Sequence, residues 1–166
     1  MLQNKLTVID IIIPVFNEEG CLIELMTRLL KLRETLSPME LNFIFIDDGS
    51  KDKSLDIISD YANQYNFIKV ISFSRNFGHQ MAVTAGLDYV QGDYAVIIDA
   101  DLQDPPELIK TMYEKALQGY EVVYGKRIKR AGETMFKKLS AKFFYRLIKK
   151  LCDVEIPEDK IGRAHV

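Results

Sequence analysis

Cysteine and histidine are scarce in this 166-residue chain, with two of each. Cys21 and Cys152 lie far apart with no metal-ligand spacing, and His79 and His165 cannot complete a cluster with them. That excludes a zinc framework, and the two thiols are expected to be reduced, in a reducing compartment. Long apolar stretches are missing too. No run approaches the length of about 18 residues that a membrane-spanning helix needs, and the N-terminus lacks a signal-peptide layout. The chain as given is therefore expected to be soluble, or at most bound at a membrane surface. No Gly-x-Gly-x-x-Gly follows the first apolar run and no Walker motif is present, which disfavours dinucleotide-binding and P-loop readings. Nor is there a large excess of one charge. A formal net charge of −2 and a pI near 5.7 argue against a general nucleic-acid binder. Internal repeats, linkers and low-complexity segments are absent as well.

What is present fits one globular domain with a sizeable core: 48% hydrophobic and 28% charged residues. The β-branched run Val8 to Val15 predicts a first buried strand, and Leu22, Leu25, Met26, Leu29 and Leu30 trace a helical stripe after it. Leu41 to Ile46 predicts a second strand, and Leu55, Ile57, Ile58 and Tyr61 a second helix. Ile68 to Phe73 is a third strand, followed by an Ala-rich helix from about His79 to Val90 and a fourth strand at Tyr94 to Ile98. Another helix is expected from Pro106 to about Leu117, stopped at Gly119, then a short strand at Glu121 to Tyr124. Thr134 to Leu151 reads as a last amphipathic helix. Strands alternating with helices imply an α/β fold, a mostly parallel sheet with helices on both faces.

The stretch richest in chemistry is Val96-Ile97-Ile98-Asp99-Ala100-Asp101-Leu102-Gln103-Asp104-Pro105-Pro106-Glu107. Its apolar run predicts a strand buried on both faces, and open α/β sheets bind ligands at the carboxyl ends of strands. On an extended chain Asp99 and Asp101 would point the same way, about 7 Å apart at Cα. Two like charges so placed call for a cation, and hard divalent ions such as Mg²⁺ or Mn²⁺ take a few protein oxygens plus substrate phosphates. Gln103 would offer a third oxygen. The plainer reading, a solvated loop with Asp104 capping the next helix, accounts for Asp104 but not for a carboxylate on an apolar strand.

The first four strands all end in polar groups: Asn17-Glu18, Asp47-Asp48, Arg75-Asn76, and Asp99 to Gln103. In a parallel sheet these ends share one edge, and a nucleotide suits what converges there. Asp47 could accept from a pyrimidine N–H or a ribose hydroxyl, and Arg75 could approach a base or phosphate. Singly, each has a plainer explanation as a turn, a cap or a surface ion pair. Their coincidence at one edge favours a site. A nucleotidyltransferase would carry a Gly-rich loop near the N-terminus, and none is there. A phosphoacceptor receiver domain would need a closing lysine that this chain does not place.

Together, Ile13-Pro14-Val15-Phe16-Asn17-Glu18-Glu19, Ile46-Asp47-Asp48-Gly49-Ser50, Ser74-Arg75-Asn76-Phe77-Gly78 and Asp99 to Glu107 resemble inverting family-2 glycosyltransferases with a GT-A fold. The Asp-Ala-Asp-Leu-Gln-Asp-Pro-Pro form looks like the branch acting on polyprenyl phosphates, undecaprenyl or dolichyl, and the likeness covers about residues 7 to 159. The resemblance implies a nucleotide-sugar donor whose nucleoside is lined by Pro14, Phe16, Glu18 and Asp47, with Asp48 and Arg75 in the same set. It implies Mg²⁺ or Mn²⁺ held by Asp99, Asp101 and Gln103, with Asp101 and Arg127 acting at the reaction centre. Between Lys126 and Lys150 the chain carries Arg127, Lys129, Arg130, Lys137, Lys138, Lys142, Arg146 and Lys149 against Glu133 alone. The helix at 134–151 is accordingly expected to lie on the membrane surface, at the cytoplasmic face, and to guide the lipid phosphate. The alternative is a nucleotide-sugar-binding domain without turnover. After Pro157-Glu158-Asp159 the residues 160–166 depart from the family pattern. They are expected to be a truncation artefact, in a parent possessing a further segment on the acceptor side and a membrane anchor.

Overall fold

A computed structural model of the chain describes residues 6–125. Its elements follow the order β1 (Val8–Val15), α1 (Glu19–Thr35), β2 (Glu40–Asp47), α2 (Ser54–Gln64), β3 (Ile68–Ser72), α3 (His79–Asp88), β4 (Tyr94–Ile97) and α4 (Leu108–Ala116). The four strands form one parallel sheet in the order β3-β2-β1-β4. The chain therefore steps outward from β1 through β2 to β3, then returns to the opposite side of β1. That reversal leaves a crevice at the carboxyl ends of β1 and β4, where sheets of this kind bind ligands.

Strand alternation sorts the side chains into two cores. Ile9, Ile11, Ile13 and Val15 of β1 and Leu41, Phe43 and Phe45 of β2 pack with Leu22, Leu25, Met26 and Leu29 of α1, Ile58 of α2 and Ile109 of α4. Ile12, Ile44 and Ile46 face the other way, toward Ala82 of α3. α3 lies very close to the sheet there. A Cβ on Gly86 would stand 2.4 Å from Ile12 Cγ2, so this helix approaches the sheet through small residues.

Asp10 is the one carboxylate within β1, and it is 2% exposed. It accepts from the backbone N–H groups of Gln91 (2.6 Å) and Gly92 (2.8 Å) and from Asn42 Nδ2 (2.9 Å). The turn into β4 is thus fastened to the middle of the sheet. Asp10→Ala is expected to destabilise the fold by about 3 kcal/mol, because buried donors would lose their acceptor. Chemical denaturation checks this, and a loss under about 1 kcal/mol would mean that water replaces the carboxylate.

Two expectations need correction. β4 pairs only with β1 among the described residues, and Tyr94, Ala95 and Ile97 are half-buried rather than enclosed on both faces. The stretch Glu121 to Tyr124 forms no strand. The basic helix expected at 134–151, Arg127 and the tail at 160–166 lie outside the described residues.

Candidate functional site

The ends of the four strands do converge. A cavity of about 300 Å³ is lined by Pro14 and Val15 at the end of β1, Phe16 and Glu18 after it, Asp48 after β2, Asn76, His79 and Ala82 before and in the first turn of α3, and Asp99, Ala100 and Asp101 after β4. It is open to solvent and falls at the small end of the range for ligand sites. Each side is built by a different local device.

After β1 the chain turns through Asn17, whose φ of 56° is left-handed and suits asparagine. Phe16, 43% exposed, is left as an uncovered ring on the cavity wall. After β2, Asp47 and Asp48 part company. Asp47 is the last residue in register, opposite Val15 and Ser72. It is buried and accepts from the Ser50 N–H (3.2 Å) and the Ser72 hydroxyl (3.2 Å). Asp48 is first beyond the ladder and reaches across to the loop before α3. Its Oδ1 accepts from the Phe77 N–H (2.7 Å), and its Oδ2 from the Gly78 N–H (2.9 Å) and Asn76 Nδ2 (2.9 Å). The two loops touch closely enough that a Cβ on Gly49 (φ 69°) would lie 2.5 Å from the Arg75 carbonyl carbon.

The Asp99–Asp101 segment is a turn, not an extension of the strand. β4 ends at Ile97, Ala100 and Asp101 turn, and Leu102 takes a left-handed φ of 59°. The expected strand alternation therefore does not hold, yet both carboxylates line the cavity. Asp101 Oδ1 accepts from the Gln103 N–H at 2.9 Å, which tightens the turn. The side chain of Glu107, the N-cap residue of α4, makes no capping hydrogen bond. It instead makes a two-pronged ion pair with Arg28 of α1, with Nε–Oε1 at 2.9 Å.

Arg28 holds the Glu107 carboxyl below the ordinary carboxylate range, outweighing the opposing effect of burial. A carboxyl lowered in the folded state stabilises at pH above its unfolded value and loses that contribution as pH falls through the folded one. Arg28→Ala is expected to cost under about 1 kcal/mol at neutral pH, since the pair is half-exposed and screened. The cost should shrink as pH falls below the ordinary glutamate value and vanish once it has fallen through the lowered folded one, where Glu107 takes up its proton. Stability measured against pH for both proteins checks this; a difference that persists in acid would assign it to packing instead.

The cavity carries an excess of negative charge. Glu18 is pushed up from the ordinary carboxylate value, first by burial and then by Asp101, with Asp52 and Asp99 adding to the effect against a hydrogen bond from Cys21. Cys21 is raised in turn by burial and by Glu18. His79 Nε2 stands 3.8 Å from Asp99 Oδ1 at the rim. Among the described residues no three His, Cys, Asp or Glu side chains come together to hold a cation by themselves. Two carboxylates nevertheless fit a hard divalent ion that keeps water and takes substrate phosphate oxygens for its other positions.

Of the residues expected at the site, Pro14, Phe16, Glu18, Asp48, Asp99 and Asp101 line one cavity. Asp47 and Gln103 are not in the lining. Arg75 is also outside it, exposed, with its guanidinium 4.4 Å from the Phe77 ring centre. Asn76, of the Arg75-Asn76 pair expected at this edge, does line the cavity, whereas the sequence gives His79 no role there. A lone histidine after a glycine gives no signal until the topology brings the start of α3 beside Asp99.

The glycosyl transferase family 2 model matches residues 10–164. The chain belongs to glycosyl transferase family 2. It is 51% identical over 152 residues to the uncharacterized glycosyltransferase YkcC of Bacillus subtilis, covering 90% of this chain and 46% of that one. It is 39% identical over 151 residues to the bactoprenol glucosyl transferase of Shigella phage SfX, covering 91% and 49%. The chain thus spans about half the length of these curated relatives. In fold it is similar to S. aureus TarS 1–349 in complex with UDP, with a TM-score of 0.61, 22% identity, and 78% and 38% of the two chains covered. It is also similar to the mannosyltransferase PcManGT of Pyrobaculum calidifontis in complex with GDP-Man and Mn²⁺, with a TM-score of 0.58, 21% identity, and 74% and 35% covered. The chain has the α/β, GT-A fold.

Proposed function

We propose that this glycosyltransferase moves a sugar from a nucleotide-diphosphate donor, a UDP- or GDP-sugar, to a polyprenyl phosphate, with inversion and with a divalent metal ion. The observation that carries the donor half is the single cavity shared by Phe16, Glu18, Asp48, Asp99 and Asp101 at the point where strand order reverses. Phe16 offers a ring face to the base, and the Glu18 carboxylate an acceptor for ribose hydroxyls. Asp99 and Asp101 would hold Mg²⁺ or Mn²⁺ against the diphosphate, where the ion supplies charge neutralisation of the leaving group. The similarity to a mannosyltransferase in complex with GDP-Man and Mn²⁺ supports that choice of metal.

The acceptor half rests on the bactoprenol glucosyl transferase relatives and on the basic stretch from Lys126 to Lys150. A phosphate monoester is already an anion near neutral pH, so its oxygen can attack the anomeric carbon without a dedicated general base. Displacement from the face opposite the diphosphate inverts that carbon. Arg127 would steady the phosphates, and the basic segment at 134–151 would hold the chain against an anionic membrane surface.

Incubation with UDP-glucose or GDP-mannose, Mn²⁺ and undecaprenyl phosphate tests the proposal. The expected product is an organic-extractable glycosyl phospholipid of inverted configuration, absent in EDTA. Donor binding without any transfer would support the nucleotide-sugar-binding domain in its place.

A further inference from the structure

Helix α1 begins without a cap of its own: the side chain of Glu18, at its N-terminus, makes no capping hydrogen bond to the helix backbone. The donors are taken from another part of the chain. The N–H groups of Asn17, Glu18 and Glu19 bond in succession to Ser50 Oγ (3.0 Å), Ser54 Oγ (2.8 Å) and Asp52 Oδ2 (3.1 Å). The contacts are reciprocated, since Lys51 N–H donates to Asn17 Oδ1 (2.8 Å) and Lys53 N–H to Glu19 Oε2 (2.9 Å). Asp52 is fixed in its turn by the Ser54 N–H on Oδ1 (2.9 Å). Ser54 is fully buried. The loop after β1 is therefore gripped, residue by residue, by the loop leading into α2, and the residue at the centre of the grip is Glu18 on the cavity wall.

We propose that Ser54 and Asp52 are positioning residues of the donor site, which fix the backbone of Glu18 so that its carboxylate meets the nucleotide. The proposal rests on the donor-site reading above. Neither residue lines the cavity, so neither touches the donor, and their effect on binding must pass through Glu18. The backbone N–H groups of residues 17 to 19 are therefore already engaged within the chain.

The test is a double-mutant cycle on binding, titrating UDP and GDP with Mn²⁺ against wild type, Ser54→Ala, Glu18→Ala and the double variant, below their melting temperatures. Ser54→Ala is expected to weaken binding about fivefold, the scale of one lost hydrogen bond, and to cause no further loss once Glu18 is alanine. An equal loss in both backgrounds, or none in either, overturns the proposal and assigns Ser54 to stability alone. Should Ser54→Ala fail to fold, Asp52→Asn is carried through the same cycle, since it keeps the shape and one acceptor. A folded wild type that binds neither nucleotide refutes the donor site itself and takes the positioning role with it.

Discussion

Asp101→Ala is expected to abolish metal-dependent nucleotide binding, weakening it on the order of 100-fold or more, about 2.7 kcal/mol. Asp99 and Asp101 both line the cavity at the turn after β4 and are the two carboxylates assigned to the metal ion. Asp101 Oδ1 already accepts from the Gln103 N–H, which leaves Oδ2 for a cation. The same substitution should not unfold the chain. Asp101 pushes the Glu18 carboxyl upward, second only to burial. A carboxyl raised in the folded state costs stability at pH above its unfolded value, so removing Asp101 relieves the fold at neutral pH. That relief is set against the lost hydrogen bond from the Gln103 N–H, so the melting temperature is expected to change little while binding is lost. Calorimetric titration with Mn²⁺, paired with thermal melts, reads both. A variant that still binds with wild-type affinity would remove Asp101 from the metal site.

Asp48→Ala should act on both quantities in the same direction. Its carboxylate is 3% exposed and is the acceptor for two backbone N–H groups and the Asn76 amide. Each buried donor left without a partner costs about 1–3 kcal/mol, so a total near 4 kcal/mol is expected, lowering the melting temperature by roughly 10 °C. Asp48→Asn should recover little, because both oxygens face N–H donors and an amide must turn its own NH₂ toward one of them. Nucleotide affinity should fall as well, since the loop that Asp48 holds carries Asn76 and leads into His79, both on the cavity wall. Melting curves and titrations of the two variants check this. If Asp48→Asn melted like wild type but lost binding, Asp48 would be a ligand contact and not a loop anchor.

Much of this was legible in the sequence because the central strands carry their signal locally. The β-branched run from Val8 to Val15 and the apolar run from Leu41 to Ile46 coincide with β1 and β2 to within a residue. The polar residue pairs at the strand ends marked the edge where the cavity lies. Other features depended on partners that no local pattern reveals. An apolar run does not tell how many neighbours a strand has, so β4 reads as enclosed when, among the described residues, it pairs with β1 alone and is half-buried. Val122 and Val123 favour a strand, but that preference needs a neighbouring strand to pack against, and the described residues supply none. The choice between Asp47 and Asp48 turns on where the ladder with β3 stops, a matter of one residue. Asp99 and Asp101 reach the same cavity by a turn with left-handed Leu102, where strand alternation had been the expected route. The grip of residues 50 to 54 on residues 17 to 19 joins segments distant in sequence, and only the parallel pairing of β1 with β2 brings them together.

The most direct test of the donor site is calorimetric titration of the folded chain with UDP and with GDP, each in Mn²⁺ and again in EDTA. The expected result is binding of one nucleotide in Mn²⁺ that disappears in EDTA. Failure of the folded protein to bind either nucleotide in Mn²⁺ would contradict a donor site at the ends of β1 and β4.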